Sequence, residues 1–359
     1  MSIYASGLWF KDIDRVINGI PCIAGLSGKK ILITGISGLI GSALADILIR
    51  CNEIRGADIE IYAAARSEEK LKNRFGEYAG KDYFHFIHYD ALEPDFEIPE
   101  DLDFIIHGAG NSSPDRIVKS PVETMLCNIT GLNSLLKYSS RHNISRLLFI
   151  SSSEVYGQKK DMTPFQDDQY GFVDILSPRN SYSVSKRAAE TLCISYFFEY
   201  GLETVIARPG HIYGPTSAED DGHISSIWSY AAAEGKEIVM KSDGKQMRSY
   251  VYCPDCASAI LTILIKGEGG KAYNISNPDS IVSIGELAEQ ISKAAGTKVR
   301  TELPSEEERN GFNPMDNSSL NSRSLLDLGW KGCFNAEEGL AHTVEIIRSF
   351  GKRKPELNS

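Results

Sequence analysis

The 359-residue sequence contains no run of eighteen or more apolar residues, so nothing in it reads as a membrane-spanning helix. Its first segment, MSIYASGLWFKDIDRVING, carries acidic residues and lacks the basic-then-apolar order of a secretory signal. A surplus of positive charge is also missing. Lys and Arg number 38 against 48 Asp and Glu, a formal net charge of -10, which argues against nucleic acid or an anionic membrane as a partner. Cysteine is sparse: seven residues (Cys22, Cys51, Cys127, Cys193, Cys253, Cys256 and Cys333), an odd number, are spread along the chain. That usage suits a reducing compartment, and a cytoplasmic enzyme is the expectation. The one close pair, Cys253-Pro-Asp-Cys256, has no second CxxC and no His pair at ligand spacing, so no metal is expected. A small anionic ligand stays open, because backbone amides and one or two arginines hold phosphates without a basic surface.

What is present is an ordinary globular composition, 42% hydrophobic and 24% charged. From about residue 29, short β-branched runs alternate with longer helical stretches. KKILITG, IEIYAAA, YFHFIHYDA, LDFIIHGAG, RLLFISSS and LETVIARPG read as strands. The alternation predicts an α/β fold, a Rossmann-type doubly wound parallel sheet over residues 29–209. Beyond about Gly210 the rhythm loosens into a smaller C-terminal α/β substrate lobe (210–359), with a part at about 249–266 returning to the first domain. Ser283 and Glu286 form a capping box at the start of one lobe helix. Residues 1–28 are an extension whose role the sequence does not disclose.

Two stretches carry chemistry. Gly35-Ile-Ser37-Gly38-Leu39-Ile40-Gly41 lies directly after the first strand and opens its helix. Glycines there let backbone approach a pyrophosphate, whose charge sits at the positive helix end, so dinucleotide binding is predicted. The second strand ends in Arg66 instead of an acidic residue. Arg66 could take the extra phosphate of NADP, lie over adenine or face solvent, so NAD and NADP both stay open. Asp90, after the third strand, is placed either to accept the adenine amino group or to cap its own loop. The second stretch is Tyr182-Ser-Val-Ser-Lys186 at a helix start, where a spacing of four puts both side chains on one face. A phenol is a feeble base, with an ordinary pKa of about 10. A lysine ammonium one turn away, with the positive charge of an oxidised nicotinamide, is expected to favour the phenolate.

With these motifs in place the chain resembles the extended short-chain dehydrogenase/reductase family, and within it the NAD(P)-dependent nucleotide-sugar epimerases, dehydratases and decarboxylases. The resemblance runs from about Lys30 to Trp330 and rests on GISGLIG, HGAGNSSP, CNITGLNSLL, SSSEVYG, YSVSK, ARPGHIYGP and QMRSYVYCPD. It implies that Ser152 hydrogen-bonds the reacting C4 oxygen, that Tyr182 is the base and that Lys186 holds the nicotinamide ribose. By position it also implies cofactor contacts from Ala91, Gly108, Ala109, Gly110, Asn128 and Pro209. Substrate contacts are implied for Ser112, Ser113, Ser153 and His211, with Arg248 on the sugar nucleotide's diphosphate. Such enzymes oxidise the sugar at C4, use the acidity created at C5, and return the hydride, so the cofactor is tightly bound and recycled. A nucleotide-diphosphate sugar is the implied substrate and a homodimer the implied assembly.

Glu154 follows the presumed catalytic serine by two positions, where it would handle the C5 proton, or else be a buried acid hydrogen-bonded to a neighbouring loop. Three reactions compete: epimerisation, 4,6-dehydration and decarboxylation. The dehydratase acid of some relatives is replaced by Ser153, and SSSEVYG with EDDGHISSIW looks closest to the UDP-glucuronate decarboxylase branch. Two departures stand against that branch. Asn317 occupies the place of an expected arginine in FNPMDNSSLNSRSLLDLGW, and His211 stands where relatives carry Asn. A non-catalytic dinucleotide sensor is a further alternative, though such proteins typically lack the Tyr-Lys pair.

Overall fold

The computed structural model describes residues 2–93, 97–98, 101–305 and 315–351. The first three residues of FNPMDNSSL and residues 352–359 of the expected lobe lie outside the described residues. Helix α1 (Gly7–Gly19) precedes strand β1 (Lys30–Thr34), and then come α2 (Leu39–Arg55), β2 (Glu60–Ala65), α3 (Glu68–Phe75) and β3 (Phe84–His88). Next are β4 (Phe104–His107), α4 (Pro114–Lys119), α5 (Pro121–Ser139), β5 (Arg146–Ile150), α6 (Ser181–Tyr200) and β6 (Thr204–Pro209). The rest comprises β7 (His211–Tyr213), α7 (Ile224–Ala233), β8 (Ile238–Met240), β9 (Met247–Tyr252), α8 (Cys253–Lys266) and β10 (Lys271–Ile275), then β11 (Ile281–Ser283), α9 (Ile284–Ala295), β12 (Val299–Thr301), β13 (Asn317–Ser318), α10 (Arg323–Asp327) and α11 (Ala336–Gly351).

The main sheet has seven parallel strands in the order β3-β2-β1-β4-β5-β6-β10. Its strands are buried on both faces, as parallel strands between helical layers must be. Alternate residues serve opposite layers: Ile31 and Ile33 pack with Leu44 and Leu48 of α2 and Ile260 of α8, while Leu32 packs with Leu132 and Leu136 of α5. Strand order reverses between β1 and β4, and the crevice outside their carboxyl ends is where such sheets bind ligands. Six strands of this sheet coincide with the runs read from sequence; β10 is an addition. RLLFISSS is corrected at its end, because β5 stops at Ile150 and Ser153–Tyr156 turn into a short 3-10 helix.

The lobe holds a four-stranded sheet, β11-β9-β13 with β7 also on β9, and a two-stranded pair of β8 and β12. The return expected over about 249–266 divides. Strand β9 stays in the small sheet, while α8 packs on the main sheet's helical layer and β10 extends the return to Ile275. Helix α9 starts with its capping box closed: the Ser283 hydroxyl accepts from the Glu286 amide at 3.1 Å, and Glu286 Oε2 accepts from the Ser283 amide at 2.6 Å.

The N-terminal extension belongs to the core. Trp9, Ile13, Val16 and Ile17 of α1 are buried in the cluster that includes α2 and α8. Two buried carboxylates tie it down. Asp46 of α2 accepts from Trp9 Nε1 at 3.0 Å, from the Tyr4 hydroxyl at 2.5 Å and from Arg74 at 2.5 Å. Asp12 of α1 accepts from the Tyr252 hydroxyl at 2.9 Å and pairs with His342 of α11.

Candidate active site

The turn from β1 into α2 is shaped by side chains that are missing. Gly35 has φ +70°, and a Cβ there would lie 2.7 Å from the Gly108 carbonyl. A Cβ on Gly41 would lie 2.3 Å from the Gly35 carbonyl, so helix and turn approach more closely than any other residue permits. Gly38 is the N-cap of α2 and offers no capping side chain, which leaves first-turn amides without that partner. Ser37 and Gly38 are exposed and Leu39 and Ile40 half-buried, so backbone at this turn faces the crevice.

Across the switch point, Thr34 fixes the β4 end. Its Oγ1 accepts from the Gly108 and Ala109 amides, each at 3.1 Å, and bonds His107 Nδ1 at 2.8 Å. Neither Thr34 nor His107 was singled out by the sequence reading, although both close strands that carry the cradle. A Cβ on Gly110 would meet Asn128 Oδ1 at 2.8 Å. Asn128 is wholly buried; its amide donates to Thr124 O and Ser185 Oγ, while Oδ1 has no partner. Close backbone approach, bare amides and an orphaned acceptor fit a dinucleotide along this wall.

Other predicted cofactor residues sit at strand ends. Arg66 is exposed just past β2, Ala91 is buried after β3, and Pro209 ends β6. Asp90 Oδ1 accepts from the Leu92 amide at 3.0 Å, so one of its oxygens caps the loop.

Tyr182 and Lys186 lie on the first turns of α6, 7% and 5% exposed. The Ser152 hydroxyl accepts from the Glu154 amide at 3.2 Å and stands beside the Tyr182 phenol, whose pKa it helps to lower. Lys186 Nζ donates to the Ile150 carbonyl at 2.8 Å and lies 4.5 Å from the Phe149 ring centroid and 5.7 Å from that of Tyr182. Burial pushes the lysine down to about 7, outweighing the charge of Glu190. Burial, then the charge of Glu154, raises the Tyr182 pKa, opposed only by Ser152 and Arg179. Burial likewise pushes His107 down to about 3, with Lys186 adding to the effect.

Glu154 stands in the short turn after β5, 19% exposed. Its Oε2 accepts from the Ser183 hydroxyl at 3.0 Å, and both its oxygens face the two amino groups of Arg179, each at 3.4 Å. Sequence reasoning missed Arg179 and Ser183; the signal was their place three before and one after Tyr182. The other serines differ in role. Ser151 donates to Glu190 at 2.5 Å, within a buried set that includes the Glu190–Arg208 ion pair, while Ser153 is buried.

On the lobe side, Arg248 is 3% exposed and donates to the Met247 and Asp316 carbonyls, with no carboxylate in ion-pair range among the described residues. Desolvation lowers its pKa, opposed by Tyr250 and Glu154. His211 bonds Ser318 Oγ at 3.1 Å and packs its ring 5.6 Å from Tyr250; desolvation, Arg248 and His223 hold it neutral. His223, also missed, pairs with Asp221 at 3.1 Å. Burial, the largest single influence, opposes its charge, yet the bond to Asp221 and the charges of Asp221 and Glu154 together hold its pKa up. Gly222 closes on Ser113, a Cβ there lying 2.9 Å from the Ser113 hydroxyl, so lobe and main domain meet at the crevice. Ser112 itself is exposed and Ser113 half-buried. Asn317 donates to the Met162 and Thr163 carbonyls and accepts from Ser319, so its side chain is spent on loops. Cys253 and Cys256 are buried in α8, with burial pushing the first thiol up to about 12 and the second higher.

A sequence profile described as the NAD dependent epimerase/dehydratase family matches residues 31–276. UDP-glucuronic acid decarboxylase 6 of Arabidopsis thaliana is 31% identical over 322 residues, 90% of each chain. UDP-glucuronic acid decarboxylase 1 of Xenopus tropicalis is 29% identical over 324 residues, 89% of this chain and 72% of that one. The dTDP-glucose 4,6-dehydratase of Streptomyces venezuelae, solved with NAD, shares the fold with a TM-score of 0.75 at 21% identity, covering 89% of this chain and 97% of that one. With its glycine cradle, Tyr182 and Lys186, the chain belongs to the NAD dependent epimerase/dehydratase family and is an NAD-dependent enzyme of nucleotide sugars.

Proposed function

We propose that the enzyme oxidises a UDP-sugar at C4, acts at C5 through Glu154, and recycles its cofactor, with decarboxylation of a UDP-glucuronate-type uronate as its net reaction. The observation that carries this reading is that Ser152 accepts from the Glu154 amide at 3.2 Å and stands beside the Tyr182 phenol, which the charge of Glu154 also reaches. Held along the glycine cradle and beside Lys186, oxidised NAD would supply a reversible acceptor for the C4 hydride and a positive ring that favours the Tyr182 phenolate. Tyr182 takes the C4 hydroxyl proton while Ser152 holds the same oxygen. The C4 ketone makes the uronate a β-keto acid, whose carbon dioxide leaves with little proton help. The C5 carbon then takes a proton from water through Glu154, which the Ser183 hydroxyl and Arg179 hold in place. Dehydration is less supported, because Ser153 is no acid. The similarity to decarboxylases at 29–31% identity favours the same choice.

Incubating the purified enzyme with UDP-glucuronate, UDP-glucose and dTDP-glucose, followed by mass spectrometry, separates the reactions. Loss of carbon dioxide from the uronate is expected; loss of water, or an isomer of unchanged mass, would replace the proposal. Exposed Arg66 supports NADP as an alternative to NAD, and equal affinity for the two in a fluorescence titration would uphold it. A homodimer through α5 and α6 is supported by exposed Val122, Leu126, Ile194 and Phe198; a monomer in sedimentation would exclude it. A cytoplasmic setting is supported by the free thiols. Fractionation that recovers the enzyme in another compartment would exclude that setting.

A further inference from the structure

Arg179 projects from the 3-10 turn Pro178–Asn180, directly ahead of the helix that carries Tyr182. It is 12% exposed and faces Glu154 with both amino groups at 3.4 Å, longer than a well-formed N–H···O bond. Its Nε is buried with no partner. A guanidinium held loosely and left with an unused donor is set to take a second planar anion. Asn317 and His223 of this wall are committed, to the Met162 and Thr163 carbonyls and to Asp221, while Arg248 spends one amino group on the Met247 and Asp316 carbonyls and keeps the rest for the nucleotide sugar's diphosphate.

Geometry identifies the anion, given the reading above in which Glu154 attends C5. The C6 carbon is bonded to C5, so a cation touching both oxygens of Glu154 lies beside whatever C6 carries. A C6 carboxylate brought against Glu154 would meet a like charge, which is tolerable only with a cation shared between them. A C6 hydroxymethyl group offers that cation nothing. We propose that Arg179 is the specificity-determining residue that receives the C6 carboxylate of a sugar uronate, doing the work for which Asn317 is unsuited. Arg179 then bridges the substrate carboxylate and Glu154, and selects uronates over neutral hexoses at the same site.

The test measures binding of UDP-glucuronate and UDP-glucose to the NAD-loaded enzyme by calorimetry, for wild type, Arg179→Met and Arg179→Lys, with carbon dioxide release followed separately. Losing a charge-assisted pair predicts that Arg179→Met weakens UDP-glucuronate roughly ten- to hundredfold and leaves UDP-glucose within about twofold, with partial recovery in Arg179→Lys. UDP-glucose binding also reports whether the variant is folded. Equal weakening of both ligands, or a preference for the uronate that survives in Arg179→Met, overturns the inference, as does a wild type that binds both alike. An Arg179-dependent preference without carbon dioxide release upholds the inference and overturns the decarboxylase reading instead.

Discussion

At the β1–α2 turn the crevice wall is backbone, kept bare by Gly35, Gly38 and Gly41, whereas at the far end the wall is Glu154, Arg179, Arg248, His211 and His223. The first end recognises by closeness of approach, so its demands fall on residues that can be only glycine. The second recognises by charge, and its groups are costly to desolvate: Arg248 and His211 both have depressed pKa values because burial penalises their charged forms. Tyr182, Ser152 and Lys186 stand where the two meet. One end therefore depends on backbone that no side chain can crowd, while the other can be retuned one side chain at a time.

The sharpest probe of the meeting point is Tyr182→Phe. Loss of the proton-accepting phenol should cut turnover by about a thousandfold with the cofactor still bound, and a steady-state assay retaining a tenth of the activity would contradict the role given to it. Next comes a pair of substitutions that should behave oppositely. Gly41→Ala drives a Cβ into the Gly35 carbonyl and should cost about 1–3 kcal/mol of stability as well as cofactor affinity. Arg248→Met should raise KM for the nucleotide sugar roughly ten- to hundredfold. It should leave the melting temperature unchanged or higher, because a desolvated cation without a carboxylate partner is removed. Thermal melts and titrations that reverse this pattern would erase the distinction between the ends.

The smallest expected effect is a slope. Lys186 has its folded-state pKa pushed down to about 7, below its ordinary value of about 10.4. Between those values the unfolded chain binds the extra proton, so this group makes the cofactor-free protein more stable as pH rises and less stable as it falls through 7. The slope is at most about 1.4 kcal/mol per pH unit. Denaturant titrations from pH 7 to 10 should show it flattened in Lys186→Met; an identical slope in the variant would mean the lysine is not desolvated as described.

The cradle end was legible in sequence because its physics is local: a glycine spacing, a strand before it and a helix after. The charged end was less so. Arg179 acquires its meaning from Glu154, 25 positions away, and the local His223–Asp221 pair acquires its own from the 112–113 loop, which the fold lays against Gly222. Strand β10 escaped notice because KAYNI carries Lys271 and Asn274, and Asn274 is tolerated only through bonds to the Phe165 and Asn321 carbonyls and the Tyr156 hydroxyl. At Tyr182 the cofactor-free protein adds burial, which the Tyr-Lys spacing does not show. Helix α1 did leave a trace, since Trp9, Ile13, Val16 and Ile17 follow helical spacing.

That first helix has an implication for the order of assembly. Its buried Asp12 takes its partners from Tyr252 and His342, and Arg15 pairs with Glu338 at 2.6 Å, so a helix read early in the sequence is completed by one read late. A nascent chain stalled before residue 336 would leave Asp12 without His342 and α1 without that cover, and would need chaperone shelter until α11 has been made.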